Sequence, residues 1–236
     1  MSSVDLSGRL ALITGASRGI GAAVAAAYAG AGAHVILLAR TTGALEALDD
    51  SIRNAGGTAT LMPVDLSDLD PLDHLGPALA ERFGKLDIFV GNAGMLGTLC
   101  PLSHGDAKEW QRVMDVNVGA NFRLIRTLDP LLQASDAGRV IFTGSGLYDS
   151  PRSYWHAYAT SKAALHMMAM TYAAENDKTS VNVNIIHPGP VETRMLGSAF
   201  PGGYKGDDLK KPEDIAPLYL ALTDPACEKH GEAVVP

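Results

Sequence analysis

Short apolar runs recur along the chain, and longer stretches with helical character separate them. Runs rich in Val, Ile and Leu that end in Gly, Asp or Arg are typical of strands buried in a parallel sheet. We predict strands at Arg9–Thr14, His34–Ala39, Thr58–Val64, Leu86–Val90, Arg139–Thr143, Val181–Ile186 and, as a short terminal strand, Ala233–Val235. We predict helices at Ala22–Ala31, Thr42–Asn54, Ser67–Phe83, Asp106–Leu132, His156–Asn176 and Pro212–Leu222. This alternation predicts an α/β fold with helices on both faces of a parallel sheet.

Local residues refine some of these bounds. Ser67-Asp68 supplies side chains that can cap a helix, so we expect the third helix to begin there. Pro130 has no backbone N–H, so the long helix should kink or restart near its end. The segment from Gly189 to Lys211 is rich in Gly and Pro, which predicts a loop that can hold a short helix.

Length and composition indicate one folded unit. The chain has 236 residues, of which 47% are hydrophobic and 19% charged, so it has ample material for a core. Chains of this length commonly form one α/β domain, and we find no linker, repeat or low-complexity segment. We expect a single domain over residues 1–236.

Charge and composition argue against several classes of partner. The formal net charge is −7 and no basic run is present, so neither nucleic acid nor an anionic membrane surface is expected as a partner. Met1–Gly8 has no secretory pattern, and no apolar stretch approaches the roughly 20 residues of a membrane span. Cys100 and Cys227 lie far apart and the histidines are scattered singly, so no metal site is expected. Together these features predict a soluble cytoplasmic protein.

A glycine-rich turn follows the first strand. Gly15-Ala-Ser-Arg-Gly19-Ile-Gly21 lies between that strand and an alanine-rich helix. Glycines let the backbone approach a ligand closely, and the N–H groups of the helix start attract phosphate. The spacing differs from the commoner Gly-x-Gly-x-x-Gly pattern, and a turn with a helix cap is the alternative interpretation.

Tyr158 and Lys162 are spaced one helical turn apart, so their side chains should share a face of the helix. A free tyrosine has a pKa of about 10, which is too high for efficient proton transfer near neutrality. A neighbouring ammonium group favours the phenolate and lowers that pKa. The pair is therefore a candidate proton-transfer device, with a solvated helix face as the alternative.

The ordered motifs of nearly the whole chain, roughly Leu6 to Val235, resemble the short-chain dehydrogenase/reductase family, and most closely its bacterial members of unassigned substrate. The resemblance rests on Thr14–Gly21, Asn92-Ala-Gly94, Asn117, Ser145, Tyr158, Lys162, Pro188-Gly189 and Thr193. It implies a Rossmann-type, doubly wound, seven-stranded sheet of order 3-2-1-4-5-6-7, with the cofactor at the carboxyl ends of the strands. The chain departs from the family at Gly144, where members often carry Ser, and at its carboxyl terminus, His230–Pro236.

The resemblance assigns roles to four residues. Tyr158 would be the general acid for carbonyl reduction or the base for alcohol oxidation, and Ser145 would hydrogen-bond the substrate oxygen. Lys162 would lower the tyrosine pKa and hold the nicotinamide ribose. Asn117 would hold a water in a proton relay behind Lys162. The alternatives are a turn serine and a buried helix asparagine.

The resemblance also implies a dinucleotide site, and the cofactor is predicted to be NADP(H) rather than NAD(H). NAD enzymes usually place Asp or Glu at the end of the second strand, whereas here Ala39 and Arg40 stand there and Arg18 lies in the glycine loop. Two guanidinium groups suit a 2′-phosphate, although both arginines could instead be solvated. The predicted cofactor residues are Gly15, Ser17, Arg18, Gly19, Ile20, Gly21, Arg40, Asp65, Leu66, Asn92, Ala93, Gly94, Tyr158, Lys162, Pro188, Gly189, Val191 and Thr193.

The substrate is predicted to be a mostly apolar, neutral carbonyl or alcohol. Beside Ser145, the residues that the resemblance brings to the reacting carbon are Met95, Leu147, Tyr154, Trp155 and Met195, with Leu96 and Pro190 close by. They offer aromatic and thioether surface. Arg152 and Arg194 are the nearby cations that an anionic substrate would need. The loop from Gly189 to Lys211 has the composition of a lid.

The helix His156–Asn176 is apolar around much of its circumference. One face should pack on the sheet, and a second apolar face should then be buried against something else. Family members pair through this helix and the long one before it, so we expect a homodimer or homotetramer. Two other functions stay open: reduction of a 3-oxoacyl thioester, as in fatty-acid synthesis, and a non-catalytic dinucleotide sensor.

Overall fold

The computed structural model describes residues 4–236, which form a seven-stranded parallel sheet flanked by helices. Its strands are β1 (Leu10–Thr14), β2 (His34–Ala39), β3 (Thr58–Pro63), β4 (Ile88–Gly91), β5 (Arg139–Thr143), β6 (Asn182–Ile186) and β7 (Ala233–Val234). They lie in the order β3-β2-β1-β4-β5-β6-β7, as the family resemblance implied.

The helices connect successive strands, and a last one precedes β7. They are α1 (Gly19–Gly30), α2 (Thr42–Asn54), α3 (Leu75–Phe83), α4 (Ala107–Met114), α5 (Ala120–Gln133), α6 (His156–Glu175), α7 (Arg194–Ala199) and α8 (Pro212–Thr223). No helix among residues 4–236 is long and apolar enough to cross a membrane.

The core has two halves, one on each face of the sheet. Successive strand residues point to opposite faces, so Ala11 and Ile13 of β1 join one apolar cluster while Leu10 and Leu12 join the other. The first cluster includes residues of α1 and α8, and the second includes residues of α5 and α6. Helices on both faces of a parallel sheet are thus confirmed.

The long predicted helix over Asp106–Leu132 is interrupted. A π-helical segment at Asp115–Gly119 separates α4 from α5. A π-turn inserts one extra residue and is found mostly at functional sites, but it barely alters the apolar periodicity. Pro130 neither ends nor restarts the helix, because α5 continues through it to Gln133.

The predicted start of the third helix at Ser67 is wrong. A 3₁₀ turn at Asp70–His74 leads into α3, so the helical segment begins later. Ser67 instead lies in a turn, where its backbone N–H and hydroxyl both donate to Oδ1 of Asp65, at 2.9 and 2.8 Å. The acceptor that fixes this turn is thus the carboxylate after β3.

Candidate active site

A cleft of about 710 Å³ opens at the carboxyl ends of the strands. The loops that follow β1 to β6 all contribute to its lining, so residues distant in sequence meet there. Every predicted cofactor residue lines this cleft except Gly21. The cleft joins the glycine turn at one end to Ser145 and Tyr158 at the other.

The glycine turn is built for close approach. Gly15 and Gly19 have φ of 67° and 56°, a region that side chains disfavour. A Cβ at Gly21 would lie 2.4 Å from the Gly15 carbonyl oxygen and 2.5 Å from Nδ2 of Asn92. Gly21 is therefore required for packing beneath the turn rather than for lining the cleft.

Thr14 joins this turn to the segment after β4. Its hydroxyl accepts from the backbone N–H groups of Asn92 and Ala93, at 2.9 and 3.0 Å, and its carbonyl accepts from Nδ2 of Asn92 at 2.9 Å. The N-terminus of α1 thus faces the cleft on a fixed loop, which is an arrangement that binds phosphate. With Arg18 and Arg40 also lining the cleft, the residues present fit a phosphorylated dinucleotide.

Ser145, Tyr158 and Lys162 lie together in the cleft lining. Ser145 follows β5 directly, while Tyr158 and Lys162 are one turn apart on α6. Nζ of Lys162 lies 5.6 Å from the centre of the Tyr158 ring and donates to the Thr143 carbonyl at 2.7 Å. The lysine is buried, with 3% of its surface exposed.

The pKa of Tyr158 moves in the direction opposite to the one expected from Lys162. Burial raises the pKa of Tyr158 to about 12, although a hydrogen bond with the Ser145 side chain opposes the rise. Burial also lowers the pKa of Lys162 to about 8. Burial of the phenol is thus the larger influence on Tyr158, while the ammonium group of Lys162 donates its hydrogen bond to the Thr143 carbonyl.

Asn117 lies in the π-helical segment and does not line the cleft. Its side chain is fully buried: Oδ1 accepts from Met95 N at 2.7 Å, and Nδ2 donates to Met95 O at 2.9 Å and to the Ser161 hydroxyl at 2.8 Å. A Cβ on Gly94 would lie 3.4 Å from the Asn117 amide oxygen. Asn117 therefore fixes the floor of the cleft against α6.

Arg40 and Asp65 stand opposite each other where β2 and β3 end. Their charged groups are 3.8 Å apart, and the side chains are 59% and 44% exposed. Such an exposed pair stabilises by about 1 kcal/mol at most, so Arg40 is free to turn towards another anion. Arg18 is also exposed and lines the same cleft.

Of the predicted substrate residues, Met95, Leu147, Trp155 and Met195 line the cleft with Ser145, whereas Tyr154 does not. Tyr154 is 59% exposed and has φ of 76°, and its carbonyl accepts from Cys100 N at 3.2 Å. This left-handed backbone conformation turns Tyr154 away from the cleft that its neighbour Trp155 lines. Sequence spacing does not reveal such a turn at a non-glycine residue.

Sequence reasoning missed two aromatic residues of the Gly189–Lys211 loop. Phe200 and Tyr204 both line the cleft, and their rings pack edge to face at 5.2 Å. The Arg152 guanidinium lies 5.2 Å from the rings of both Trp155 and Phe200. Arg152 thus connects this loop to the segment before α6. The sequence signal that could have identified Phe200 and Tyr204 is the presence of aromatic residues in a Gly- and Pro-rich loop.

The predicted loop contains the short helix α7. The Thr193 hydroxyl caps it by accepting from Leu196 N at 3.2 Å. Val191 and Lys210 form an isolated parallel bridge at the base of the loop. The two ends of the segment are therefore tied together while its middle covers the cleft.

Comparison with known proteins supplies independent information. The family model described as short chain dehydrogenase matches residues 9–202. The uncharacterized oxidoreductase YciK of Escherichia coli K12 is 40% identical over 220 residues, which cover 92% of this chain and 86% of YciK. The solved structure of yciK from E. coli has a TM-score of 0.93 at 39% identity, covering 100% of this chain and 97% of that one. A short chain dehydrogenase of E. coli CFT073 in complex with NADPH gives the same TM-score of 0.93 and 39% identity, covering 100% and 99%.

Proposed function

Because the chain belongs to the short chain dehydrogenase family, we propose that it is an NADP(H)-dependent oxidoreductase in which Tyr158 exchanges a proton with a carbonyl or alcohol oxygen. Membership of the family makes the chain an NAD(P)-dependent oxidoreductase with a small-molecule substrate. The observation that carries the finer proposal is one continuous cleft, lined by the glycine turn, Arg40, Ser145, Tyr158 and Lys162.

A dinucleotide held in this cleft would provide the hydride for the carbonyl carbon, or take one up from the alcohol carbon. In reduction, the Tyr158 hydroxyl donates its proton to the oxygen while the Ser145 hydroxyl stabilises the developing negative charge. The high pKa of the buried Tyr158 keeps it protonated near neutrality, which is the form that a proton donor requires. Lys162 and the glycine turn would hold the dinucleotide, and Asn117 would keep the Gly94–Met95 floor in place.

NADP(H) is preferred over NAD(H) in this proposal because of the charges at the ends of β1 and β2. Ala39 offers no carboxylate to a ribose 2′-hydroxyl, while Arg18 and Arg40 both line the cleft. Arg40 has only an exposed, weak partner in Asp65, so binding a 2′-phosphate would cost little. The NADPH complex of the E. coli CFT073 relative supports the same choice.

The substrate proposal is a neutral, mostly apolar carbonyl or alcohol. Met95, Leu147, Trp155, Met195 and Phe200 give the substrate end of the cleft an aromatic and thioether surface. Arg152 already contacts two aromatic faces, which reduces its availability to an anion. The loop from Gly189 to Lys211 would close over the bound ligand, since its base is tied while its middle is exposed.

We also propose that the protein forms a homodimer or homotetramer through α5 and α6. Phe122 on α5 is 50% exposed and Met167 on α6 is 64% exposed, and the core side of α6 is already filled by Leu165 and Tyr172. Large apolar side chains that are this exposed on two neighbouring helices indicate a surface that another subunit covers.

Two measurements test the proposed function. Titration by protein fluorescence should show tighter binding of NADPH than of NADH. Purified protein with NADPH should then reduce members of a panel of neutral aromatic and aliphatic ketones and aldehydes, followed by NADPH absorbance. Tighter NADH binding contradicts the cofactor proposal, and binding of NADPH without turnover of any carbonyl favours the dinucleotide sensor. Preference for a 3-oxoacyl thioester over every simple ketone favours the fatty-acid type of reductase.

A further inference from the structure

His187 is a buried residue of the site that the mechanism above does not use. It follows β6 directly and precedes Pro188 and Gly189, which both line the cleft. Only 3% of its surface is exposed. A buried imidazole beside the cleft requires a physical explanation, because burying a polar ring costs free energy unless its nitrogens find hydrogen-bond partners.

The imidazole of His187 occupies the space that a side chain at position 144 would need. A Cβ added to Gly144 would lie 2.4 Å from Nδ1 and 2.5 Å from Cε1 of His187. Gly144 has no positive φ, so backbone conformation does not exclude a side chain there. Contact with His187 does, and Cδ1 of Ile185, at 3.0 Å from the added Cβ, is a looser second contact. Since Gly144 directly precedes Ser145, this contact sets the distance between two loops of the active site.

Two further side chains hold the His187 ring in place. Nε2 of His187 lies 3.2 Å from Nδ1 of His166, which is one helical turn beyond Lys162 on α6. The ring of Tyr148 stacks on both imidazoles, with centroid distances of 4.4 Å to His187 and 4.1 Å to His166. Tyr148 belongs to the 3₁₀ turn that begins immediately after Ser145. The cluster therefore joins the Ser145 loop, α6 and the segment Pro188-Gly189.

We propose that His187 is a positioning residue, which fixes the Ser145 loop against the Pro188-Gly189 segment that faces the cofactor. Its ring packs against Gly144 and is held there by His166 and Tyr148. This inference rests on the proposed function. Displacing the ring by a fraction of an ångström would move Ser145 relative to the bound nicotinamide. Turnover should then suffer more than dinucleotide binding, because misplacement of reacting groups raises the barrier directly.

Burial, helped by two basic neighbours, keeps His187 neutral. Burial lowers the pKa of His187 to about 4, and the neighbouring His166 and Lys162 act in the same direction. Asp149 and the backbone of Ser145 oppose this lowering, while burial also lowers the pKa of His166. A neutral ring adds no second cation beside Lys162. The pKa of His187 in the folded protein lies below that of a free histidine. The unfolded chain therefore takes up this proton more readily, and His187 lowers the free energy of unfolding as pH falls from about 6.5 towards 4.

A double-mutant cycle between Gly144 and His187 tests the proposal. Gly144→Ala in the natural background should lower kcat with NADPH and the best carbonyl of the panel by roughly tenfold to a hundredfold, since overpacking forces the two loops apart. In the His187→Ala background, the same change should lower kcat by less than about twofold, because the obstructing ring is gone. The melting temperature should show the same non-additivity. Equal factors in the two backgrounds overturn the inference.

Conservative variants separate positioning from simple loss of packing. His187→Gln keeps a polar atom near the Nε2 position and should retain more of kcat than His187→Leu, which fills the space without a hydrogen bond. NADPH affinity should change less than kcat in both. His74→Gln is the matched control, since His74 is exposed and lies outside the cleft lining. Equal kcat for the Gln and Leu variants would contradict the role of the His166 bond.

The outcomes also separate this inference from the proposed function. If the natural protein fails to bind NADPH, the proposed function fails, and the cycle in melting temperature still decides whether His187 rests on Gly144. If NADPH binds and carbonyls are reduced but the cycle is additive, only the inference fails. Histidine NMR adds a readout independent of catalysis: His187 should remain neutral down to about pH 5, and titration near the ordinary histidine pKa would contradict its burial.

Discussion

Replacing Lys162 with Met should stabilise the free protein near neutral pH while it abolishes function. Burial lowers the pKa of Lys162 from 10.5 to about 8, so holding its charge in the folded state costs about 3 kcal/mol at about 1.4 kcal/mol per pKa unit. The lost hydrogen bond to the Thr143 carbonyl offsets about 1–2 kcal/mol of this. We therefore expect a net gain of about 1–2 kcal/mol in the free energy of unfolding.

The pH dependence of this gain is its most specific feature. Between about pH 8 and 10.5 the unfolded chain keeps the Lys162 proton and the folded chain loses it, so the natural protein gains stability as pH rises. The Met variant lacks this gain, and its advantage should shrink and then reverse over the same window. Urea unfolding of both proteins near pH 7 and near pH 10 measures the effect.

The control is Lys178→Met, because Lys178 is exposed beyond the end of α6 and should show neither effect. The reasoning is refuted if Lys162→Met destabilises the protein near pH 7, or if its difference from the natural protein does not change with pH. A stabilised but inactive variant would mean that Lys162 is retained for function at the expense of stability.

Three other predictions concern the cofactor, the assembly and the loop. Arg40→Ala should weaken NADPH binding by roughly tenfold to a hundredfold and leave NADH nearly unchanged. Arg53→Ala, which removes another exposed arginine paired with an aspartate, is the control. Equal losses for both dinucleotides would contradict the assignment. Met167→Glu should weaken self-association in light scattering, whereas a natural protein that is monomeric at micromolar concentration would refute the proposed oligomer. NADPH with substrate should protect the segment between Gly197 and Lys211 from limited proteolysis, and unchanged cutting would count against a closing loop.

The sheet and the position of the cleft could be predicted because they depend on strong local patterns. The strand residues of β1, β2 and β5 are almost all buried, so apolar runs marked them clearly. In a parallel sheet, the residues after successive strands must meet at one edge, which brings the glycine turn and Ser145 into one cleft. The order of strands came from the family resemblance, since periodicity alone does not determine it.

The features that the sequence could not predict are the directions of flexible side chains and local changes in backbone conformation, because both depend on contacts between distant residues. The spacing of Tyr158 and Lys162 puts them on one helix face, but the direction of a long lysine side chain is set by the Thr143 carbonyl. The π-helical segment around Asn117 is stabilised by partners on other elements, including Ser161. The contact of His187 with Gly144 likewise joins the residues that directly follow the neighbouring strands β6 and β5, and no local pattern predicts it.

The most direct test of the proposed mechanism is Tyr158→Phe, which removes one hydroxyl and keeps the ring against Trp155. We expect NADPH affinity within about twofold of the natural protein, because the glycine turn, Arg40 and Lys162 would still bind the dinucleotide. The rate of carbonyl reduction should fall by about a hundredfold to ten-thousandfold, the range that general acid catalysis contributes. Retention of more than a few per cent of the natural rate would contradict Tyr158 as the proton donor.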